Sequence, residues 1–477
     1  MFIRGGSWLN SRRMKIHFLG ATRTTTGSMY LFEINGRRLL LECGLFQGHR
    51  EETTRRNCCF PFDPRQVDAV VLSHAHIDHA GNLPNLAKQG YEGPIHCTDA
   101  TRDLCGIMLL DSAHIQEQDA IFVSKKRAKK NLPPVEPLYR VPDAEKAVQQ
   151  LVGHPYGQPF SPVNGVTVTL VDAGHILGSA QVILDIQENG RKFRWLFSGD
   201  VGRGGDEILR DPVPVEEVDY LQIESTYGGR THADRRDADQ TICRLVGDTL
   251  RQQGKVIIPS FSVGRTQQIV YVLHQLTLSG CLPRVPIFVD SPLSVNATEI
   301  YRRHPECYND QIAKFLREQE NPFGMANLTY LTDAEDSKKL NDRRDPLIII
   351  SASGMCEAGR IRHHLANHIG ESKNLVLFIG YCAEGTLGDQ ILKGRSPVNI
   401  FGEPHTVRAR IASLDSYSGH ADQNELKAYI RKITGSFRRI FCVHGEESQC
   451  LAHAETLRRL KPDANVLAPD YRQMIEI

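Results

Sequence analysis

The segment VLSHAHIDHAGNLP, at residues 71–84, constrains what this chain can fold into more than any other. It places His74, His76, Asp78 and His79 within six positions, directly after an apolar run. Only 19 of the 477 residues are histidine, and three of them in these positions would arise by chance roughly 0.03 times in such a chain. A metal site is therefore the favoured interpretation, and a polar loop that is merely rich in histidine is the alternative.

The spacing of these residues indicates two pairs of ligands. His74 and His76 are two positions apart, so they cannot share a helix face, but at a strand end or in a tight loop both side chains can point the same way. Asp78 and His79 follow where we predict that a helix begins. One loop can thus supply the ligand pairs His74/His76 and Asp78/His79.

A site for two ions needs more ligands, and three metal-capable residues follow later apolar strands. His175 lies in DAGHILGSA, Asp200 in WLFSGDVGR and His444 in IFCVHGE. Any one of them alone would more readily be a hydrogen-bonded turn residue. However, the carboxyl ends of strands are where open sheets usually carry their sites, and together with the histidine cluster these residues complete a set.

The mixture of imidazole and carboxylate suits zinc best, with manganese or iron as alternatives. We predict that one ion is held by His74, His76 and His175, that the second is held by Asp78, His79 and His444, and that Asp200 bridges the two. Two such ions about 3.5–4 Å apart can activate water and stabilise an in-line displacement at phosphorus.

The remaining pattern predicts several domains. A chain of 477 residues exceeds what one hydrophobic core usually organises. In the first half strands alternate with turns and helices, and residues 101–155 are predicted to be helical. From about Tyr220, short apolar runs each precede a helical stretch, which favours a parallel sheet covered by helices. After about residue 398 the chain gives a strand, a helix and a strand.

Composition limits the partners. The net charge is +1, so a site for a polyanion has to be a local patch. The run KKRAKK at 125–130 is interpreted as a solvated helix face, with phosphate binding as the alternative. No apolar run reaches the length of a membrane span, and the first 20 residues have no apolar core of signal-peptide length. The 12 cysteines form no C-x-x-C pair, so we expect reduced thiols, no membrane partner and a cytoplasmic location.

HAHIDH, then a lone histidine, then SGD resembles the metallo-β-lactamase superfamily of hydrolases. The second half is similar to the β-CASP group of nucleases in seven motifs, namely LQIESTYGGR, IIPSFSVGR, FVDSPLS, SASGM, GYCAEGT, YSGHAD and CVHGE. This group includes the eukaryotic pre-mRNA cleavage-and-polyadenylation endonuclease, its archaeal and bacterial relatives, and ribonuclease J. The resemblance runs from about Met14 to the C-terminus.

The resemblance implies an α/β fold in which a β-CASP domain is inserted into an αββα metallo-β-lactamase sandwich. The expected boundaries are an N-terminal tail at 1–13, the first part of the metallo-β-lactamase domain at 14–222, the β-CASP domain at 223–398 and the C-terminal part at 399–477.

The resemblance also implies roles for single residues. Glu224 matches an acidic residue that orients a catalytic histidine, and His420 matches that histidine, the expected general acid. His444 matches a metal-binding histidine that favours RNA over DNA as substrate. We expect Glu224, His420 and Asp78 to be catalytic. Glu42 stands where the family usually has aspartate, and its implied role is to support the ligand loop by hydrogen bonds.

Phosphate contacts are expected at Gly/Ser-rich turns, from Arg265, Ser260, Ser353, Gly354 and Arg360. The activity expected is metal-dependent hydrolysis of single-stranded RNA with two Zn²⁺, or Mn²⁺ as a substitute, in RNA processing or decay. Endonucleolytic and 5′-3′ exonucleolytic modes both stay open, as does a homodimer. The alternatives are hydrolysis of a non-nucleic-acid ester or thioester, and an inactive RNA-binding subunit.

Overall fold

The computed structural model describes residues 13–48, 50–232, 235–319, 321–380, 382 and 385–477. All of the predicted N-terminal tail except Arg13 lies outside these residues, and so do Tyr381, Ala383 and Glu384 of the GYCAEGT motif.

Two seven-stranded sheets form the first domain. The strands of the first sheet are β1 (Lys15–Gly20), β2 (Met29–Ile34), β3 (Arg37–Leu41), β4 (Ala69–Val71), β5 (Ile95–Thr98), β6 (Leu151–His154) and β22 (Gln473–Glu476). Their order is β22-β1-β2-β3-β4-β5-β6. Neighbouring strands are antiparallel from β22 to β3 and parallel from β3 to β6.

The second sheet combines strands from residues 160–224 with strands from residues 439–467. Its strands are β7 (Phe160–Val163), β8 (Val166–Asp172), β9 (Ala180–Glu188), β10 (Arg191–Phe197), β11 (Tyr220–Glu224), β20 (Arg439–Val443) and β21 (Asn465–Leu467). Their order is β21-β20-β11-β10-β9-β8-β7. The pairs from β21 to β10 are parallel, so β20 places the end of the chain beside β11.

The two sheets pack face to face over one apolar core. β1 and β8 alternate between buried and less buried residues, as half-buried strands do. Trp195 lies at the centre, with its ring 5.2 Å from those of Phe32 and Phe441.

Helices cover the outer faces of both sheets. The first sheet carries α2 (Ile77–Ala80), α3 (Leu83–Lys88), α4 (Asp99–Ala128) and α5 (Val141–Gln149), preceded in the chain by α1 (Arg50–Cys58). The second sheet carries α13 (Gln423–Lys432) and α14 (Glu447–Leu460). The layers are therefore helices, sheet, sheet, helices, and the predicted αββα sandwich is confirmed.

The inserted domain is built on a six-stranded parallel sheet. Its strands are β12 (Val256–Pro259), β13 (Ile287–Asp290), β14 (Leu328–Leu331), β15 (Ile348–Ser351), β16 (Leu375–Phe378) and β19 (Arg410–Ser413), in the order β14-β13-β15-β12-β16-β19. The runs VIIP, IIIS and LVLF are buried throughout, as expected for a sheet covered on both faces. The predicted parallel, helix-covered sheet is thus confirmed.

The inserted domain's helices are α6 (Arg235–Arg251), α7 (Arg265–Leu278), α8 (Pro292–Arg303), α9 (Asp310–Gln319), α10 (Ala334–Asp342), α11 (Ile361–His368) and α12 (Leu387–Leu392). A hairpin of β17 (Val398–Ile400) and β18 (Glu403–His405) lies beside them. Because β19 belongs to the six-stranded sheet, we propose that this domain extends to Ser413, beyond the expected boundary at 398.

The two domains share buried contacts near α4 and α8. Ile300 and Tyr301 of α8 belong to the same buried cluster as Leu104 and Met108 of α4. Beside this cluster, Asp103 accepts a hydrogen bond of 3.1 Å from the His304 ring. This packing fixes the inserted domain over one edge of the sandwich.

Two expectations from composition can be compared with the structure. Cys243 and Cys281 are disulfide-bonded, so the expectation of reduced thiols is wrong for this pair, while the remaining ten cysteines are free. The two partners are 38 positions apart, and a spacing of this length does not predict a bond. Within the described ranges, none of the helices combines the length and apolar character needed to cross a membrane.

Candidate metal centre

The loop that carries the histidine cluster connects β4 to α2 and is held by the residue before β2 and by the segment after β3. Cys43 N donates to His79 O at 2.8 Å, and Ser28 N donates to Asp78 O at 2.8 Å. Gly44 lies so close that a Cβ there would be 1.6 Å from Asp78 O. The backbone of the ligand loop is thus fixed before any side chain takes part.

Four side chains form a first cluster of ligand atoms. His76 Nδ1 lies 3.1 Å from His74 Nε2 and 3.1 Å from His175 Nε2. Asp200 Oδ2 lies 3.5 Å from both His74 Nε2 and His175 Nε2. With Zn–N distances of about 2.0–2.1 Å, the edge of a tetrahedron around zinc is about 3.3 Å. The four atoms have the spacing of such a tetrahedron.

A second cluster lies beside the first. His79 Nε2 and His444 Nε2 are 3.1 Å apart, and Asp78 Oδ2 lies 3.3 Å from His444 Nε2 and 3.9 Å from His79 Nε2. Asp200 Oδ2, already part of the first cluster, is 3.3 Å from His79 Nε2. One carboxylate oxygen is therefore within reach of both clusters.

The hydrogen bonds on the outer sides of the rings test whether a cation fits. His175 Nδ1 donates to Gly419 O at 3.0 Å. Thr226 Oγ1 donates to His444 O at 3.3 Å, so it accepts from His444 Nδ1 at 3.2 Å. A neutral imidazole that carries its proton on Nδ1 has its lone pair on Nε2. With the proton on Nδ1, a neutral ring at either position turns its Nε2 lone pair toward the carboxylate oxygens, and this arrangement suits a bound cation.

Glu42 orients two further rings, those of His79 and His74, so that each carries its proton on Nδ1. It is fully buried, and it accepts a hydrogen bond from His79 Nδ1. It also accepts from Ser73 N at 2.6 Å and from Ser73 Oγ at 2.8 Å. Because Ser73 Oγ gives its only proton to Glu42, it accepts from His74 Nδ1 at 3.0 Å. Glu42 thus contacts His79 directly and His74 through Ser73.

His420 and Glu224 lie on the side of the first cluster that faces the inserted domain. His420 Nδ1 donates to the Glu224 carboxylate, with oxygens at 3.2 and 3.3 Å, and is 3.8 Å from Asp200 Oδ2. Glu224 is fully buried and accepts from Val201 N at 2.6 Å. The His420 side chain is 22% exposed, so its ring reaches the solvent-facing side of the cluster while Glu224 fixes it from below.

The pKa values of His76 and His420 are shifted in opposite directions, by burial and by neighbouring carboxylates respectively. Burial lowers the pKa of His76 to about 4, which keeps this ring neutral and able to bind metal. Burial also lowers the pKa of His420, but the carboxylates of Glu224 and Asp200 outweigh it and raise that pKa to about 9. Burial raises the pKa of Asp200, and the surrounding histidines, His444 first, more than offset this and hold it well below its usual range.

Ser73, Thr226 and Gly419 were not identified from the sequence as functional residues. They adjoin motifs that were identified, since Ser73 precedes His74, Thr226 follows Glu224 by two positions and Gly419 precedes His420. Adjacency to a ligand was the available signal, but it does not tell which atom contacts which ring.

The residues expected to bind phosphate are placed differently from one another. Arg265 opens α7, and its Nη2 is 3.2 Å from the position that a Cβ on Gly419 would take, next to His420. Ser260 is buried and accepts from Thr266 Oγ1 at 3.1 Å. Gly354 is buried against the Phe261 ring. Of these, Arg265 comes closest to the clusters.

Ser353 and Arg360 serve the structure of the inserted domain. Ser353 Oγ accepts from Glu357 N at 3.2 Å, within its own turn. Arg360 Nη1 donates to Asp290 at 2.7 Å and Nη2 donates to Thr332 O at 2.5 Å. Asp290 is fully buried, so it needs this cation. Because its guanidinium is engaged in an internal ion pair, we propose a structural role for Arg360 in place of phosphate binding.

Family models match three consecutive parts of the chain. Residues 22–259 match the metallo-beta-lactamase superfamily, residues 266–391 match the Beta-Casp domain, and residues 404–469 match a Zn-dependent metallo-hydrolase RNA specificity domain.

Curated relatives match almost the whole chain. It is 36% identical over 444 residues to ribonuclease TTHA0252 of Thermus thermophilus, a match that covers 93% of this chain and 96% of that protein. It is 31% identical to transcription termination factor FttA of Methanocaldococcus jannaschii, over 96% of this chain and 70% of that protein.

A crystal structure of a protein of unknown function from Enterococcus faecalis V583 shares the fold. The TM-score is 0.54 and the identity 13%, over 98% of this chain and 100% of the other.

Proposed function

The chain belongs to the β-CASP group of RNA nucleases in the metallo-β-lactamase superfamily, and we propose that it cleaves single-stranded RNA with two zinc ions in the clusters around Asp200. Metal-dependent hydrolysis of RNA is the activity of the chain as a member of this group. The number and identity of the ions, the roles of single residues and the mode of cleavage are the parts that we propose.

The observation that carries the proposal is the position of Asp200 Oδ2. It lies within 3.5 Å of ligand nitrogens from both clusters, namely those of His74, His175 and His79. Sites with two metals use such a shared carboxylate to hold both ions close to one substrate oxygen. When bound, the ions would supply Lewis acidity at the scissile phosphate and lower the pKa of the attacking water.

His420 is proposed as the general acid. Its Nδ1 proton is engaged with Glu224, so Nε2 is the nitrogen that can give a proton to a leaving oxygen. The Glu224 carboxylate stabilises the imidazolium form, and the pKa of about 9 keeps His420 protonated near neutral pH. We propose that it protonates the 3′-oxygen of the leaving nucleotide, which gives a 3′-hydroxyl and a 5′-phosphate.

Arg265 is proposed as the phosphate contact that accompanies His420. Its guanidinium lies beside Gly419, and the two domains meet at this edge. A planar cation here can hold a non-bridging phosphate oxygen in two hydrogen bonds. We keep Arg265 and leave Arg360 out of the set of proposed substrate contacts.

The first experiment measures metal content and RNA cleavage together. Elemental analysis of the purified chain should find two zinc ions per molecule, and labelled single-stranded RNA should be cleaved. His420→Ala should retain both ions and cleave about 10²–10⁴-fold more slowly. His363→Ala, which removes an exposed histidine of α11, is the matched control and should cleave normally.

Three results would contradict parts of this proposal. One ion per chain in a fully active preparation would rule out the two-metal site. Unchanged cleavage by His420→Ala would remove that residue as the acid. Intact RNA together with consumption of a thioester would favour a different hydrolase on the same metal site.

The mode of cleavage, the oligomeric state and the location need separate measurements. We propose endonucleolytic cleavage, and sequencing the products of a long RNA with blocked 5′ termini tests it, because a purely 5′-exonucleolytic enzyme would leave this RNA intact. The homodimer and the cytoplasmic location stay predictions, which sedimentation and cell fractionation can check.

A further inference from the structure

The distal end of α4 and the loop after it, residues 120–135, form a segment that we call the basic arm. It contains Lys125, Lys126, Arg127, Lys129 and Lys130 and no acidic residue. Five of the 57 basic residues of the chain lie here, which leaves 52 against 56 acidic residues elsewhere. Outside the basic arm the chain is therefore net acidic, and the positive charge of the arm is a local feature.

The basic arm is folded back on itself and ordered by its own hydrogen bonds. Val135 N donates to Ser124 Oγ at 2.9 Å, and Arg127 Nε donates to Pro133 O at 2.7 Å. Leu132 N donates to Arg127 O at 3.1 Å. The loop is thus tied to the last turns of the helix, and the lysines are presented from a defined scaffold.

The lysines of the basic arm face solvent without carboxylate partners. Lys125, Lys126, Lys129 and Lys130 are exposed, and no ion pair joins them to an acidic side chain in the described part of the chain. The first acidic residue after the arm, Glu136, is paired with Arg140 at 2.5 Å. Cations at a helix C-terminus are favourable for the helix dipole, but that effect needs only one or two of them.

Exposed apolar side chains accompany these cations. Phe122 is 57% exposed, Ile121 49% and Leu132 46%. Lys126 Nζ lies 4.3 Å from the centre of the Phe122 ring. Cations beside an exposed aromatic ring are the combination with which proteins bind single-stranded nucleic acid, since the cations track phosphates and the ring stacks on a base.

The basic arm is separate from the metal clusters. α4 begins at Asp99, and the residue before it, Thr98, donates to Gly178 O at 2.7 Å, three residues after His175. Ser112, in the middle of α4, is 2.8 Å from the Tyr139 hydroxyl, which donates to Gly81 O beside the ligand loop. From Ser112 to Lys125 the helix rises about 20 Å, so the arm does not adjoin the clusters.

We propose that the basic arm is a second RNA-binding surface, which holds a single-stranded part of the substrate outside the cleavage site. The proposal rests on the proposed function for the identity of the bound polymer, because a ribonuclease brings long RNA to this surface. Lysines of the arm neutralise phosphates and Phe122 stacks on a base. The charge of the arm favours RNA over a second copy of the chain, because RNA carries a negative charge on every nucleotide, whereas 52 basic against 56 acidic residues leave the rest of the chain only weakly acidic.

The test compares two variants with the same change of charge. The arm variant is Lys125→Gln, Lys129→Gln and Lys130→Gln. The control is Lys192→Gln, Lys373→Gln and Lys432→Gln, three exposed lysines on other parts of the chain. Binding of a 30-nucleotide RNA is measured at several salt concentrations with His420→Ala added to each protein, so that the metal is retained and cleavage does not consume the probe. Cleavage of a six-nucleotide RNA is measured with zinc and with His420 intact.

For the arm variant we expect the affinity for the 30-nucleotide RNA to fall about tenfold. The slope of log K against log salt should decrease in magnitude by about 2, because three lysines are replaced and each phosphate contact on a single strand contributes about 0.7. Phe122→Ala should weaken binding without changing the slope. Cleavage of the six-nucleotide RNA should match wild type in all three variants, and the control should bind like wild type.

Equal affinities of the arm variant and the control for the 30-nucleotide RNA would overturn the proposal. So would a change confined to self-association in sedimentation, which would assign the arm to contacts between copies. Loss of cleavage of the six-nucleotide RNA by the arm variant would also overturn it, because the arm would then act on the site itself. Failure of the wild type to cleave RNA of either length would instead refute the proposed function.

Discussion

Replacing Glu42 by glutamine should separate the support of the ligand loop from the ligands themselves. The substitution preserves the length of the side chain and removes its charge. The carboxylate now accepts three hydrogen bonds, from His79 Nδ1, Ser73 N and Ser73 Oγ. An amide has one acceptor oxygen, so its NH₂ group must face at least one of these donors.

The expected loss follows from the tautomer of His79. If the amide oxygen keeps its bond to Ser73 N, the NH₂ group faces His79 Nδ1, and the ring must move its proton to Nε2. Nε2 is the nitrogen that faces Asp200 and His444, and once it is protonated it has no lone pair left to bind a metal ion. Partners of this kind change metal affinity or activity about 10- to 100-fold, which corresponds to about 1.4–2.8 kcal/mol.

Competition with a zinc chelator measures this loss directly, and RNA cleavage at saturating zinc provides a second reading. Glu188→Gln is the matched control, because Glu188 is a buried carboxylate of the same domain that does not contact the clusters. It accepts hydrogen bonds from Met14 N at 2.7 Å and from Asn35 N at 3.0 Å. It should lower the free energy of unfolding and leave zinc affinity unchanged. Zinc affinity within twofold of wild type in Glu42→Gln would refute this account of Glu42.

Three further predictions concern stability. Removal of zinc by EDTA should lower the melting temperature and zinc should restore it, since a ligand that binds only the folded state stabilises it by about 4 kcal/mol at 1,000 times its Kd; an unchanged melting temperature would argue against tightly bound metal. Arg360→Ala should lower the free energy of unfolding in urea by about 3 kcal/mol, because it leaves Asp290 buried without its cation; a loss below 1 kcal/mol would contradict the internal ion pair. Burial raises the pKa of Asp290, but hydrogen bonds from His364, Ser337 and Arg360 hold it below its usual value. The contribution of Asp290 to stability is therefore complete above the unfolded pKa of about 3.9 and is lost as the pH falls through the folded pKa. Arg360→Ala should show a shallower fall in the free energy of unfolding from pH 5 to 3, and slopes equal to those of wild type would count against this pair as the cause.

The clustering of the ligands could be anticipated because each of them ends a short apolar strand. His175, Asp200 and His444 follow β8, β10 and β20, and parallel neighbours such as β11 and β20 bring their carboxyl ends to one edge. Sequence periodicity located these strands, and the functional residue types at their ends then indicated a shared edge.

Two features of the structure that were not anticipated from the sequence have a different physical origin. Arg360 lies in a Gly/Ser-rich turn that is typical of phosphate binding, yet Asp290, 70 positions earlier, accepts its hydrogen bond. Long-range pairs of this kind depend on the order of strands in the sheet, which local patterns do not encode. The place of β19 in the six-stranded sheet was missed for the same reason.

The distance in sequence between His79 and His444 has a consequence for when activity can arise. These rings are 3.1 Å apart in space and 365 positions apart in the chain, and β22, next to β1 in the first sheet, comes later still. A nascent chain that has not reached β20 has six of the seven proposed ligands and lacks His444. The proposed second metal position is therefore incomplete until β20 and the residue after it have been synthesised and have paired with β11.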